Sequence, residues 1–203
     1  MDPSAPPGWY GKLPALGDFA SRRLAVDVVD ALDRWLAGSL DAWRGDDPQW
    51  LDAYLSAPVS RFLLGAGLPL AGSAGCAGVL MPSVDRVGRY FPLVILAPRS
   101  RPGADAPSQA WFDALEAMAV AAMQDDWDIE RLDAELARLT PVDDEAPTVE
   151  WPLRGESLWW RTGDGVTSQQ FAGEGLPLGP AFVGLFRRHV PTDLSSDPLG
   201  FFE

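Results

Sequence analysis

The chain has 203 residues, with 16 Lys and Arg against 29 Asp and Glu, a formal net charge of −13. Its 47% hydrophobic content, including nine Trp and nine Phe, supplies a core for one domain and excludes a globally disordered chain. The acidic balance disfavours nucleic-acid backbones and anionic membranes as partners, and a single cysteine, Cys76, excludes an internal disulfide or a Cys-based zinc site.

Residues 1–7 read as a Pro-rich, flexible tail. They lack the basic and apolar regions of a secretory leader. No apolar run approaches the roughly 20 residues that span a bilayer, so the expected location is the cytoplasm. Residues 8–14 are aromatic and bounded by Gly and Pro, which predicts an edge strand or a strand-like entry. Val28, Leu32, Trp35, Leu36, Leu40 and Trp43 then recur at helical spacing, with Asp27 as the expected N-cap. Asp47-Pro48 predicts a cap and first helical residue for a short helix carrying Trp50, Leu51, Tyr54 and Leu55.

Strand patterns follow at residues 59–64, 75–81 and 90–97. After a connector with three prolines, a helix is expected from Ser108, bearing Trp111, Leu115, Met118 and Ala122 on one face. A second, from about Asp126, turns Ile129, Leu132, Leu136 and Leu139 inward and stops at Thr140-Pro141. Residues 157–162 and 166–171 flank Gly163-Asp164-Gly165, a hairpin pattern. A last helix is expected over residues 180–188, and residues 191–203 form a tail. Runs of strands with short connections predict an α+β domain over residues 8–190, a mostly antiparallel sheet with helices on both faces. The adjacent Trp159 and Trp160 point to opposite sides of a strand, which requires cover on both.

The chemical motifs are incomplete. His189 is the sole histidine, so no H-E-x-x-H or Cys/His cluster exists, and the acidic groups Asp46-Asp47, Asp125-Asp126-Asp128 and Asp143-Asp144-Glu145 read as helix caps and solvated faces, with a carboxylate-only metal site as the alternative. The glycines between 65 and 78 lack both the P-loop and the dinucleotide spacing. Ala71-Gly72-Ser73-Ala74-Gly75 lacks the first glycine of a nucleophile elbow. Cys76 reads as a small buried hydrophobe. No cofactor and no intrinsic enzymatic activity are expected.

Two segments carry more chemistry than packing asks for. Residues 8–19 combine Trp9, three glycines, Asp18 and Lys12, the only lysine beside 15 arginines. Residues 81–93 place Ser83, Asp85, Arg86 and Arg89 on a turn between apolar strands. One reading is structural, with Asp18 capping a turn and Asp85 fixing its loop through Arg86 or Arg89. The other is a docking surface, since Trp and Arg are enriched where binding energy concentrates. Both segments are expected to meet in space.

The run from Gly8 to Phe19, followed by Ser21-Arg22-Arg23-Leu24, resembles the N-terminal pattern of the TagF family of type VI secretion-associated proteins. Trp35-Leu36, Arg61-Phe62, Pro82-Ser83-x-Asp85, Gly88-Arg89-x-Phe91-Pro92-Leu93 and Ser157-Leu158-Trp159-Trp160 follow in the family's order, so the resemblance covers most of residues 8–186. It implies a cytoplasmic, post-translational repressor of the secretion machine linked to a forkhead-associated-domain scaffold protein. Some members are fused to a serine/threonine phosphatase domain, for which these residues show no motif. On this reading the candidate partner-binding residues are Trp9, Lys12, Asp18, Arg22, Ser83, Asp85, Arg86 and Arg89. A structural subunit of the machine and, further off, a hydrolase using a carboxylate or Lys12 are the alternatives.

Overall fold

A computed structural model describes residues 6–98, 107–139, 149–163 and 166–187. Seven strands form one sheet: β1 (Gly8–Gly11), β2 (Ala20–Arg22), β3 (Ser60–Leu64), β4 (Cys76–Met81), β5 (Leu93–Pro98), β6 (Glu156–Gly163) and β7 (Val166–Glu174). Their order is β2-β1-β5-β4-β3-β6-β7, and every neighbouring pair is antiparallel. The helices are α1 (Val26–Asp46), α2 (Trp50–Leu55), α3 (Gln109–Gln124), α4 (Ile129–Ala137) and α5 (Pro180–Gly184).

β4 and β5 are continuous apolar runs, and β3 is buried throughout though it begins with Ser60 and Arg61, because both faces of the sheet are covered. Alternate side chains go to different layers. Tyr10, Phe62, Leu64, Leu80, Val94 and Trp159 pack with α1, α2 and α5. Trp9, Leu63, Val79, Ile95 and Trp160 pack with α3 and α4. The Trp159–Trp160 pair thus faces both layers, as the period-2 geometry of a strand demands. Gln170 is the extra residue where register with β7 slips between them. Among the described residues, no helix is long and apolar enough to cross a membrane.

Four sequence expectations need correction. β1 is not an edge strand. It lies between β5 and the three-residue β2, which local composition did not reveal. Asp27 does not cap α1. Ala25 occupies that position, its carbonyl accepting from the Val28 and Val29 N–H groups, and Asp27 stands in the first turn, where the helix dipole favours it. Asp47 closes α1 instead of opening α2. Its N–H donates to the Trp43 carbonyl, and its carboxylate accepts from the Gln49 N–H and the Trp43 indole. α4 begins at Ile129, where Asp128, not Asp126, accepts from the Arg131 N–H. Ser108 caps α3 as expected, accepting from the Trp111 N–H. The hairpin turn at Asp164-Gly165, the acidic run 143–145, His189 and the 191–203 tail lie outside the described residues, as do residues 1–5 of the N-terminal tail.

Charged staples tie the layers down. The Arg61 guanidinium, buried on β3, donates to Asp113 and Glu116 of α3 at 2.7 and 2.6 Å. Arg161 of β6 donates to the carbonyls of Leu185 and Arg187 just past α5, where a cation complements the helix dipole.

The sheet's close packing predicts opposite signs for two glycine substitutions. On β4, a Cβ at Gly78 would lie 2.1 Å from the Ile95 carbonyl oxygen and 2.6 Å from the Phe62 ring. Gly78→Ala should therefore destabilise by roughly 1–3 kcal/mol, as overpacking does. Gly38 of α1 faces open space, so Gly38→Ala should stabilise by about 0.5–1 kcal/mol. Urea unfolding of both variants checks the pair.

Candidate functional site

β1 and β4 both leave the sheet at the end where β5 begins, so the β1–β2 and β4–β5 connections emerge side by side. β1 runs close against β5 here because residue 11 is glycine. Its φ is 142°, and an added Cβ would sit 2.2 Å from the Pro92 carbonyl oxygen. Just beyond this contact, Lys12 turns inward.

The Lys12 ammonium donates to Asp85 Oδ2 at 2.5 Å, and Arg89 Nε donates to the same oxygen at 2.7 Å. Asp85 Oδ1 accepts from the backbone N–H groups of Val87 and Arg89 at 3.0 and 2.9 Å. The carboxylate thus receives four hydrogen bonds and sits between two cations, with its side chain fully buried. Lys12 is 3% exposed, whereas Arg89 is half exposed at its surface end.

Further bonds join the two connections. Ser83 Oγ donates to the Lys12 carbonyl at 2.5 Å. The Arg86 N–H donates to the Leu16 carbonyl at 2.8 Å, and Arg89 Nη2 reaches the Gly17 carbonyl. Tyr54 of α2 pins the same spot from below. Its hydroxyl donates to the Ser83 carbonyl and accepts from the Ser83 N–H, both at 2.9 Å. Phe19 lies against the Lys12 ammonium, 4.6 Å from ring centroid to Nζ, stacks on Tyr10 and meets Phe91 edge-on. The two segments singled out in the sequence therefore form one unit.

Burial divides the eight candidate residues. Trp9, Lys12, Ser83 and Asp85 are buried; Lys12, Ser83 and Asp85 hold the unit together, whereas Trp9 packs into the core under α3 and α4. Asp18, Arg86 and Arg89 are exposed on it, with Asp18 Oδ1 4.0 Å from Arg89. Arg22 is also exposed, but opposite Trp9 on β2, so its side chain points to the α3–α4 side of the sheet while Tyr10 points to the α1 side. Tyr54 was not among the candidates. Its partner lies 29 residues away, and nothing local distinguishes a tyrosine that bonds a distant loop from one that fills a core.

Chemically, the arrangement is closed. Burial alone pushes the Asp85 carboxyl up. The hydrogen bonds from Lys12, from the Arg89 backbone and guanidinium, and from the Val87 N–H outweigh it and hold the carboxyl well below the usual carboxylate range. A carboxylate held ionised with its acceptor positions filled is poorly disposed to move a proton. Among the described residues, no group of three or more His, Cys, Asp and Glu could hold a metal ion.

Comparison with known proteins agrees with the sequence resemblance. Residues 8–139, from β1 past the end of α4, match the family described as the TagF N-terminal domain, type VI secretion system-associated. The chain belongs to this family. The crystal structure of PA0076 from Pseudomonas aeruginosa PAO1 is similar over 91% of this chain and 97% of its own, at 30% sequence identity and a TM-score of 0.71. A search of curated proteins gave no match. The TagF N-terminal domain match thus contains both connections that meet at Asp85.

Two outcomes follow from the ion network. Lys12→Met leaves Asp85 buried with one cation fewer and should lower stability by on the order of 3 kcal/mol. Because the Asp85 pKa is lowered on folding, its contribution is complete above the unfolded carboxylate pKa, about 3.9, and is lost as pH falls below it toward the folded value. Asp85→Asn should remove that component of acid sensitivity. Melting temperatures measured from pH 7 down to acid check both; equal acid slopes in wild type and Asp85→Asn would refute the second.

Proposed function

We propose that this chain is a cytoplasmic, non-enzymatic regulator of type VI secretion, a post-translational repressor that acts by binding the forkhead-associated-domain scaffold protein of the system. Membership of a type VI secretion-associated family supplies the setting. The observation that carries the mode of action is the contrast within the Asp85 unit. Lys12 and Asp85 are buried and committed to each other, while Phe19, Arg86, Val87 and the outer part of Arg89 face solvent on a fixed frame. A surface whose loops are already ordered loses little conformational entropy on association, which suits binding more than turnover.

Each group has a defined part in this reading. Lys12, Ser83, Asp85 and Tyr54 are positioning residues. They fix the backbone of both connections without touching a partner. Arg86 makes direct contact, because its backbone is held by Leu16 while its side chain has no partner among the described residues. Arg89 does both, bonding Asp85 with Nε and standing half exposed.

Calorimetric titration of purified scaffold protein with this chain tests the reading. Wild type should bind, and Arg86→Ala should weaken binding by about 1 kcal/mol or more. The melting temperature should stay close to that of wild type, since exposed substitutions usually change stability by no more than about 0.5 kcal/mol. Absence of wild-type binding, or equal affinity of Arg86→Ala, would contradict it.

A further inference from the structure

We infer that the surface formed by Gly17, Phe19, Arg86 and Val87 receives an acidic segment of a partner protein, with Arg86 as its main anion contact. This rests on the reading of the Asp85 unit as a docking site and adds the chemistry of what docks there.

The first observation is the state of Arg86. It is exposed, and an added Cβ on Gly17 would lie 3.8 Å from its Nη2, so the guanidinium stands over a residue with no side chain. Nothing among the described residues neutralises it. An arginine presents a planar fork of donors that fits a carboxylate with two parallel bonds.

The second is the distribution of charge. Lys12, Arg86 and Arg89 outnumber Asp18 and Asp85 here, on a chain whose net charge is −13. The helical layers on either side are acidic outward. α1 exposes Asp27, Asp30, Asp41 and Asp46 against Arg34 and Arg44, and the α3–α4 layer exposes Asp113, which pairs with Arg61, and Asp125, Asp126, Asp128 and Glu130 against Arg131 and Arg138. An acidic segment is repelled by both layers and attracted at the loop end between them, so approach and register are both selected. A basic segment would meet Arg86 and Arg89 with like charge. A neutral one would cover Arg86 and leave its donors without partners, which is costly.

The third is the apolar material beside the charge. Phe19 is 42% exposed and Val87 65% exposed. They offer contacts for an apolar side chain interleaved with the carboxylates. The Asp85 network holds the loops in place, so the acidic segment meets a surface already set to receive it.

Photo-cross-linking in the bacterium that encodes the chain tests this directly. A photoreactive side chain is placed at Val87 in the full chain, with Leu178, exposed near α5, as the control position. Adducts formed at Val87 should map to a peptide in which Asp and Glu outnumber Lys and Arg, and Leu178 should not label that peptide. Arg86→Glu should reduce the yield by about tenfold, while Arg86→Lys should retain most of it. Adducts on a neutral or basic peptide, a yield unchanged by Arg86→Glu, or no adduct at Val87 would overturn the inference. If the acidic peptide belongs to a protein other than the forkhead-associated-domain scaffold, the inference stands and the proposed partner falls. If the scaffold co-purifies with the chain but carries no Val87 adduct, the partner stands and the inference falls.

Discussion

The shape of the loop end of this domain depends on one buried carboxylate. Asp85 accepts from Lys12 of the β1–β2 connection and from Val87 and Arg89 of its own loop. A buried ionised group of this kind is tolerable only when its acceptor positions are filled and its charge is offset. That requirement works in both directions. The loop must fold tightly around Asp85, and the β1–β2 connection must bring Lys12 inward to complete it. The contacts that follow, Ser83 to the Lys12 carbonyl, Arg86 to Leu16 and Arg89 to Gly17, follow from that placement. Removing Lys12 leaves a charge without one of its partners, whereas truncating the exposed Arg86 leaves Asp85 with all of its partners. The same unit therefore contains residues that govern stability and residues free to govern binding.

The sheet makes this arrangement possible. Because β1 and β4 flank β5 in antiparallel register, both of their outgoing connections emerge at one end. Gly11 allows β1 to approach β5 at that end, and Tyr54 reaches up from the α2 layer to hold Ser83. The domain is rigid where helices on both sides bury alternate side chains of the same strands. It presents its chemistry where those layers end. The protein-binding function we propose for type VI secretion fits a frame of this kind, with the surface charge of one loop cluster opposed to that of the surrounding layers.

Much of the fold was legible in the sequence, for identifiable reasons. Continuous apolar runs at β4 and β5 signal strands buried on both faces, and Trp159-Trp160 says the same in two residues. Helical spacing in α1, α3 and α4 was equally plain. What failed were local rules facing tertiary contacts. Asp47-Pro48 has the composition of a helix start, yet Asp47 is held by the Trp43 indole and Arg187, so it closes the preceding helix. β2 is three residues long and polar at Arg22, too short for a period, and its existence hid the interior position of β1. In the site, a pairing of Asp85 with Arg86 or Arg89 was readable from their place on one turn, and the structure selects Arg89. The pairing with Lys12, 73 residues away, had no local signal; the lysine's isolation among arginines marked the residue but not its partner.

The central claim is that the Asp85 charge orders both connections as one surface. Amide hydrogen exchange on wild type and Asp85→Asn tests it most directly, because asparagine keeps the shape and removes the charge. The account predicts faster exchange across residues 15–19 and 85–90 together, while the β3, β4 and β5 amides keep their protection. Unchanged protection in both loops, or loosening of one without the other, would contradict it.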